Sequence, residues 1–278
     1  MKPRSRLPQL SPRPLLSIVM PACDEEENLE RTAEALFREL DDAAIPFEFI
    51  IVNDHSRDGT LGIAKGLAAA RSEVLVLDST RPSGFGRTIR EGLARFSGEV
   101  VMVVMSDGSD DPKDVVRYYR KLQDGWDCVF GSRFRTESHV TNYPPVKHFA
   151  NRIVNRGLQL LFWTGFNDLT NAFKAFRREV ILDCGPYSSC HFNLTVEMSL
   201  SALIRRYEIV EIPIAWYGRT WGASKLSLWA MGRRYLSVVL KLFFERLLIS
   251  DDLIEDGTAS RGLAQGDPPS ATGSGESR

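Results

Sequence analysis

Val100-Val-Met-Val-Val-Met-Ser-Asp-Gly-Ser-Asp-Asp-Pro112 runs from an unbroken apolar stretch through a polar loop into a helix start. An apolar run so short, with no polar alternation, suits a strand buried on both faces. Asp111 then Pro112 supply an N-cap and a first helical residue that needs no N–H partner. The same grammar recurs upstream, where Leu15–Met20, Phe47–Val52 and Val74–Leu77 are further β-rich runs. Between them apolar residues return at helical spacing: Leu29, Ala33, Leu36 and Leu40, then Ile63, Leu67 and Ala70, then Ile89, Leu93 and Phe96. Strand, helix, strand, repeated, predicts an α/β domain with a mainly parallel central sheet flanked by helices.

The second half is less regular. Asp127–Phe130 reads as a strand leading into Gly131-Ser-Arg133, Asn151–Trp163 as a helix, Thr170–Arg177 as a strand, Val196–Ile204 as a helix and Ile209–Ile214 as a strand that Pro213 places at an edge. Residues 1–14 mix Pro with Lys and Arg and lack the apolar stretch of a secretory signal, so they read as a basic, proline-rich tail. Residues 15–227 form the expected α/β domain, 228–250 a C-terminal helix, and 251–278, rich in Gly, Ser, Pro and acids, a disordered tail. The 35 Lys and Arg nearly balance 36 Asp and Glu, which argues against a nucleic-acid binder. Cys23, Cys128, Cys184 and Cys190 form no CxxC pair, as expected of thiols in a reducing cytoplasm.

In parallel sheets ligands sit beyond the carboxyl ends of the strands, so the residues after each apolar run carry the functional argument. After the first come Pro21-Ala-Cys-Asp-Glu-Glu-Glu-Asn28, where Asp24 and Glu27 have the spacing of a capping box. After the second comes Asn53-Asp-His-Ser-Arg-Asp-Gly-Thr60, and after the fourth Ser106-Asp-Gly-Ser109. Asp54 and Asp107 have no evident capping role. A carboxylate at a strand end can hold Mg²⁺ or Mn²⁺ against a diphosphate, and Asp54 can accept from a nucleobase N–H; a turn explains either residue equally. Gly84-Phe-Gly86, opening a helix with Arg87 and Arg90, could approach a phosphate. Arg133, Arg177, Arg219 and Lys225 flank strand or loop ends, where cations can hold phosphates or simply face solvent.

Together these motifs resemble family 2 glycosyltransferases of the GT-A nucleotide-diphospho-sugar transferase fold, and within them polyprenyl-phosphate hexose synthases of the dolichol-phosphate mannosyltransferase type. The resemblance covers about residues 15–228 and rests on Ile18–Asn28, Ile51–Thr60, Val103–Pro112, Gly131–Arg133, Asp168–Val180 and Gly222-Ala-Ser-Lys-Leu226. It implies that Pro21, Ala22, Glu25 and Asp54, with Gly86, Arg90, Ser106 and Asp107, bind a GDP- or UDP-sugar. It implies that Asp107, with Ser109, holds the divalent metal. Arg133, Arg177, Arg219, Ser224 and Lys225 are then expected at the donor and acceptor phosphates. Asp168 is expected to orient Arg or the sugar, and secondarily to act as a base. The sequence departs from the family pattern at Met105, where a first Asp is usual, and at Asn53 and His55, which replace Asp and Gly around Asp54.

The implied reaction is inverting hexosyl transfer to a polyprenyl phosphate. A soluble acceptor, or a catalytically inactive nucleotide-sugar-binding subunit, stands as the alternative. From Leu228 to Ile249, Leu228, Met231, Tyr235, Val238, Val239 and Leu242 share one face of an amphipathic helix, with Leu240, Phe244, Leu247 and Leu248 beyond it. Lys241, Glu245 and Arg246 interrupt it, so it does not span a bilayer. It packs on its own domain or a subunit, or lies at a membrane interface. A cytoplasmic protein, peripheral at the cytoplasmic membrane face or bound to a membrane protein, is the expectation.

Overall fold

The structure, a computed structural model, describes residues 7–218 and 232–249. In chain order it contains β1 (Leu16–Ala22), α1 (Leu29–Asp42), β2 (Phe47–Asn53), α2 (Thr60–Ala70), β3 (Val74–Asp78), α3 (Phe85–Leu93), β4 (Val100–Val103) and α4 (Pro112–Gln123). Then follow β5 (Cys128–Ser132), β6 (His139–Thr141), α5 (Pro145–Phe162), β7 (Lys174–Arg177), α6 (Arg178–Cys184), α7 (Leu194–Ile204), β8 (Ile209–Pro213) and β9 (Ala215–Tyr217). A last helix, α8, covers 232–249. Arg219, Ser224, Lys225, Leu228 and Met231, and the tail expected at 251–278, lie outside the described residues.

A seven-stranded sheet in the order β3-β2-β1-β4-β7-β5-β8 forms the centre. β1 pairs parallel with β2 and β4, and β2 with β3, as the repeated strand–helix grammar predicts. β7 is the exception, antiparallel to both β4 and β5. β8 is the edge, so Pro213 removes no inward ladder bond. β1 is buried at every position because helices cover both faces. One face packs Leu29, Ala33, Leu36 and Leu40 of α1 and the stacked rings of Tyr118 and Phe173. The other packs Ile89, Phe176, Leu200 and, from α8, Val238 and Leu242. The predicted α8 stripe is thus buried from Tyr235 onward. In α2, Thr60, Ala64 and Leu67 turn inward, while Ala70 is exposed.

Three local expectations are corrected. Asp24 and Glu27 do not box α1, whose N-cap Asn28 makes no side-chain cap. The loop acids instead reach the neighbouring loop: Asp24 Oδ1 accepts from Arg57 N at 2.8 Å and Glu26 Oε2 from Gly59 N at 2.7 Å. Of the backbone donors that open α2, Gly59 N is thus satisfied by the neighbouring loop, and Thr60 N locally by Asp58 Oδ1 at 3.0 Å. α5 begins at Pro145 rather than Asn151, because Pro fits the first helical turn; Trp163 ends it in the left-handed conformation. The strand expected over Thr170–Arg177 shortens to Lys174–Arg177, since Asn171 N bonds back to Asp168 O in a turn.

Residues 7–14 are docked on the domain. Leu10 packs on the core, Tyr119 Oη donates to Pro14 O at 2.8 Å, and Arg177 donates to Pro8 O. Arg177 was expected at a phosphate. Because β7 runs antiparallel, its last residue faces Val100 at the start of β4, the end of the sheet away from the strand-end loops. There Arg177 is buried, 3.9 Å from the buried Asp127. Arg177→Ala, which leaves Asp127 buried without that partner, is expected to lower unfolding free energy by about 3–5 kcal/mol in urea titrations. Donor affinity per folded molecule should be unchanged; a weakened donor affinity would return Arg177 to the phosphates.

Candidate active site

A cavity of about 710 Å³ opens at the carboxyl ends of β1, β2 and β4, within the size range of ligand sites. Pro21, Ala22, Glu25, Asp54, Ser106, Asp107, Ser109 and Arg133 line it, so the sequence brings together the residues that follow different strands. Ser106 Oγ donates to Pro21 O at 2.9 Å, tying the β4 loop to the end of β1. Asp54 is buried; its Oδ2 accepts from Gly84 N at 3.0 Å and Ser83 Oγ at 3.1 Å. It therefore organises the 83–84 loop rather than a turn of its own. His55 adopts φ 56°, a left-handed backbone that explains why glycine is common there. Asn53 Nδ2 donates to Asp78 Oδ1 at 2.8 Å, where a second carboxylate would repel.

Asp107 Oδ1 accepts from Ser109 N at 3.1 Å, the local turn bond that an Asp-Gly-Ser sequence allows. Beside it stands Asp110, buried and lining the cavity, with Oδ2 accepting from Met105 N at 3.2 Å. Burial and then the Asp107 charge push the Asp110 carboxyl up to about 7. Asp107 and Asp110 thus offer two hard oxygen donors to one cavity, the ligand type that suits Mg²⁺ or Mn²⁺. Among the described residues no group of three or more His, Cys, Asp or Glu could hold a metal. Asp110 was missed because it sits next to the capping Asp111, which accepts from Lys113 N at 2.9 Å. Its distinguishing signal is position: it precedes the cap and shares a loop with Asp107.

Arg133 lines the same cavity. Asp168 Oδ2 accepts from Arg133 N at 3.0 Å and Nε at 2.8 Å, and Oδ1 from Nη2 at 2.8 Å. The guanidinium also lies over the rings of Phe134, Tyr143 and Trp216, 5.4–5.8 Å from their centroids. Burial would lower the Arg133 pKa, but Asp168 reverses this, so the group stays charged. Asp168 is fully buried and absent from the cavity wall, so it acts on the site through Arg133 and is not placed as a base. Glu211, missed in the sequence, accepts from Asn167 N at 2.8 Å and Asp168 N at 3.3 Å and fixes that loop. Lys147 and Asn151 of α5 and Arg234 and Tyr235 of α8 also line the cavity. Lys147 and Arg234 were missed because helix cations normally read as solvated faces.

Gly86 and Arg90 are not in the cavity wall. A Cβ on Gly86 would lie 2.6 Å from Ser189 O and 2.8 Å from Cys190 C, so this glycine admits the backbone of the 189–191 loop. Arg90 sits in the last turn of α3, pointing its helical position away from the N-terminal loop that reaches the cavity. Ser83, Gly84 and Phe85 are the residues of that loop that do line it, with Phe85 stacked on Phe192 at 4.1 Å.

Residues 17–185 match the family described as Glycosyl transferase family 2. The chain belongs to that family. Polyprenol monophosphomannose synthase of Mycolicibacterium smegmatis is 27% identical over 216 residues, 76% of this chain and 80% of the relative. Undecaprenyl-phosphate mannosyltransferase of Micrococcus luteus is 28% identical over 227 residues, 79% of this chain and 90% of the relative. Glucosyl-3-phosphoglycerate synthase from Mycobacterium tuberculosis, crystallised with Mn²⁺, UDP and glucosyl-3-phosphoglycerate, superposes with a TM-score of 0.65 over 82% of this chain and 80% of that one. At 18% identity this likeness concerns the fold, which is the expected GT-A α/β architecture. The expected membership of family 2 is therefore correct.

Gly86→Ala is expected to lower stability by about 1–3 kcal/mol through the forced shift of the 189–191 backbone. Thermal and urea melts measure this, and unaltered stability would reopen a phosphate role for Gly86.

Proposed function

We propose that this glycosyltransferase moves a hexose from a GDP- or UDP-sugar to a polyprenyl phosphate, with inversion at the anomeric carbon. The carrying observation is that one cavity is lined both by carboxyl groups, Asp54, Asp107 and Asp110, and by cations, Arg133, Lys147 and Arg234. The two relatives named for polyprenyl-phosphate mannose transfer support the acceptor class. The donor's nucleoside would sit by Pro21, Ala22, Glu25 and Asp54, as the family resemblance implies.

Asp107 and Asp110 would hold Mg²⁺ or Mn²⁺, with diphosphate oxygens and water, and possession of Mn²⁺ by the structural neighbour is consistent with this reading. The metal, when bound, stabilises the charge that grows on the departing diphosphate. Arg133, Lys147 and Arg234 orient the acceptor phosphate. One of its oxygens forms the new bond to the anomeric carbon, while the bond to the donor diphosphate breaks and its electron pair leaves with the nucleoside diphosphate. A phosphate monoester is already anionic near neutral pH, so the attack needs no strong base. This matches the burial of Asp168 behind Arg133. Arg219, Ser224 and Lys225 remain proposed phosphate contacts from outside the described residues.

Incubation of the purified protein with labelled GDP- and UDP-sugars, Mn²⁺ or Mg²⁺ and a short polyprenyl phosphate is expected to yield a lipid-linked hexose from one donor class. Chelation should abolish the product. Asp107→Ala should lower kcat by roughly 10²–10³-fold, and Asp110→Asn should weaken Mn²⁺ binding in the presence of nucleotide. Arg133→Lys should raise the acceptor KM at least about tenfold while donor affinity is retained. Product formation only on a water-soluble phosphate would reassign the acceptor, and donor binding without turnover would make the chain an inactive subunit.

A further inference from the structure

α5 and α8 each give one side to the cavity and leave the other uncovered. α5 buries Asn155, Leu158 and Phe162 and places Lys147 and Asn151 in the cavity wall. Its opposite stripe exposes Val146, Phe149, Ile153 and Leu160, and the capping Trp163 is 88% exposed. α8 buries Val238 and Leu242, places Arg234 and Tyr235 in the wall, and exposes Leu236, Leu240, Phe244 and Leu247. The helices touch near their C-terminal ends, where Phe162 and Phe243 have ring centroids 6.5 Å apart and Arg246 donates to Leu161 O at 3.3 Å. Of fourteen exposed large hydrophobic side chains among the described residues, eleven belong to these helices or to Trp163. Scattered apolar side chains are ordinary on a surface, but this concentration marks an interaction face.

Charge selects the occupant. α5 carries Lys147, Arg152 and Arg156 and no acid. α8 carries Arg233, Arg234, Lys241 and Arg246 against one acid, Glu245, which is 2.9 Å from Arg205. The whole chain has a net charge of -1, so this face departs from the average in the cationic direction. A two-fold contact between copies would set this patch against itself and oppose like charges. An anionic lipid surface complements both features, since apolar side chains enter the headgroup boundary while Lys and Arg meet lipid phosphates. No helix among the described residues is long and apolar enough to cross a membrane, so the contact is with one leaflet.

We infer that α5 and α8 form a docking face for an anionic bilayer, holding the mouth of the cavity at the headgroups. This deepens the polyprenyl-phosphate reading and rests on it for its purpose: the lipid phosphate enters between Lys147 and Arg234 while its chain stays in the leaflet.

The test is co-sedimentation of the full chain with phosphatidylcholine vesicles that contain phosphatidylglycerol, against phosphatidylcholine alone, with no polyprenyl phosphate present. Binding to the anionic vesicles is expected to be at least about tenfold tighter and to weaken with salt. Phe149→Gln with Phe244→Gln should reduce it at least about tenfold, and Arg156→Gln with Arg233→Gln should remove the preference for anionic lipid. Both pairs should leave turnover of a short, water-soluble polyprenyl phosphate unchanged without vesicles. A vesicle-induced blue shift of tryptophan fluorescence, diminished in Trp163→Phe, gives a second readout. No binding to anionic vesicles by the unaltered chain overturns the inference. So does binding by the variants equal to the unaltered chain's, or a stable dimer that Phe244→Gln dissociates. Vesicle binding with no transfer in solution would instead refute the acceptor assignment and leave the docking face standing.

Discussion

The bidentate pairing of Arg133 with Asp168 is the constraint on which the site depends. A buried guanidinium without a partner costs several kcal/mol, and so does a buried carboxylate. Asp168 meets that requirement with both oxygens, from a position of complete burial. It also accepts from Arg133 N, so the same carboxylate holds the backbone where β5 ends. Glu211 of the neighbouring β8 then takes the N–H groups of Asn167 and Asp168, while Arg135 lies 3.2 Å from Glu211. Two carboxylates and two guanidiniums thus bind β5, β8 and the 167–171 loop into one unit. Lys174 lies behind it with its amine donating to Leu169 O and Asn171 O, and burial pulls its pKa down to about 7.

The reversed direction of β7 makes that pairing possible. A parallel strand at this place would put its preceding loop at the far end of the sheet. Because β7 is antiparallel between β4 and β5, the loop that precedes it arrives at the carboxyl ends of its neighbours. Asp168 therefore meets Arg133, and Arg177 is sent to the opposite end, beside Asp127. One strand polarity decides the place of an acid and of a base that the linear sequence shows only nine residues apart.

This polarity also separates what was legible in the sequence from what was not. The four leading strands and the strand-end acids Asp54 and Asp107 follow from local pattern, because parallel strands gather whatever comes after each of them; Pro21, Ala22, Glu25 and Ser106 follow from the family resemblance. Arg177 carries the same chemistry as Arg133, yet its place depends on which strand pairs with which, and that is a long-range fact. Glu211 reads as a polar residue in an edge strand until its backbone partners are known. Gly86 resembles a phosphate loop because close approach to any backbone demands the same missing Cβ, here against Ser189 and Cys190. Lys147 and Arg234 could not be found by spacing, since their helices come together through Phe162 and Phe243.

The acidic and the cationic side chains of the cavity pose opposite electrostatic problems. Asp107 and Asp110 present carboxyl oxygens to the place proposed for a diphosphate, so direct binding there would be unfavourable. Mg²⁺ or Mn²⁺ held by Asp107 and Asp110 would make the two compatible and stabilise the departing diphosphate. In the proposed reaction Arg133, Lys147 and Arg234 would meet the incoming anion without such mediation, and Asp168 keeps Arg133 charged. The lipid phosphate must approach the donor against its negative charge, which favours fixed cations on the acceptor side. Setting two of those cations on α5 and α8, the helices that bear the exposed apolar stripes, would let the surface that meets the membrane also receive the phosphate. Acceptor recognition and membrane contact then share the same two helices, and neither needs a spanning segment.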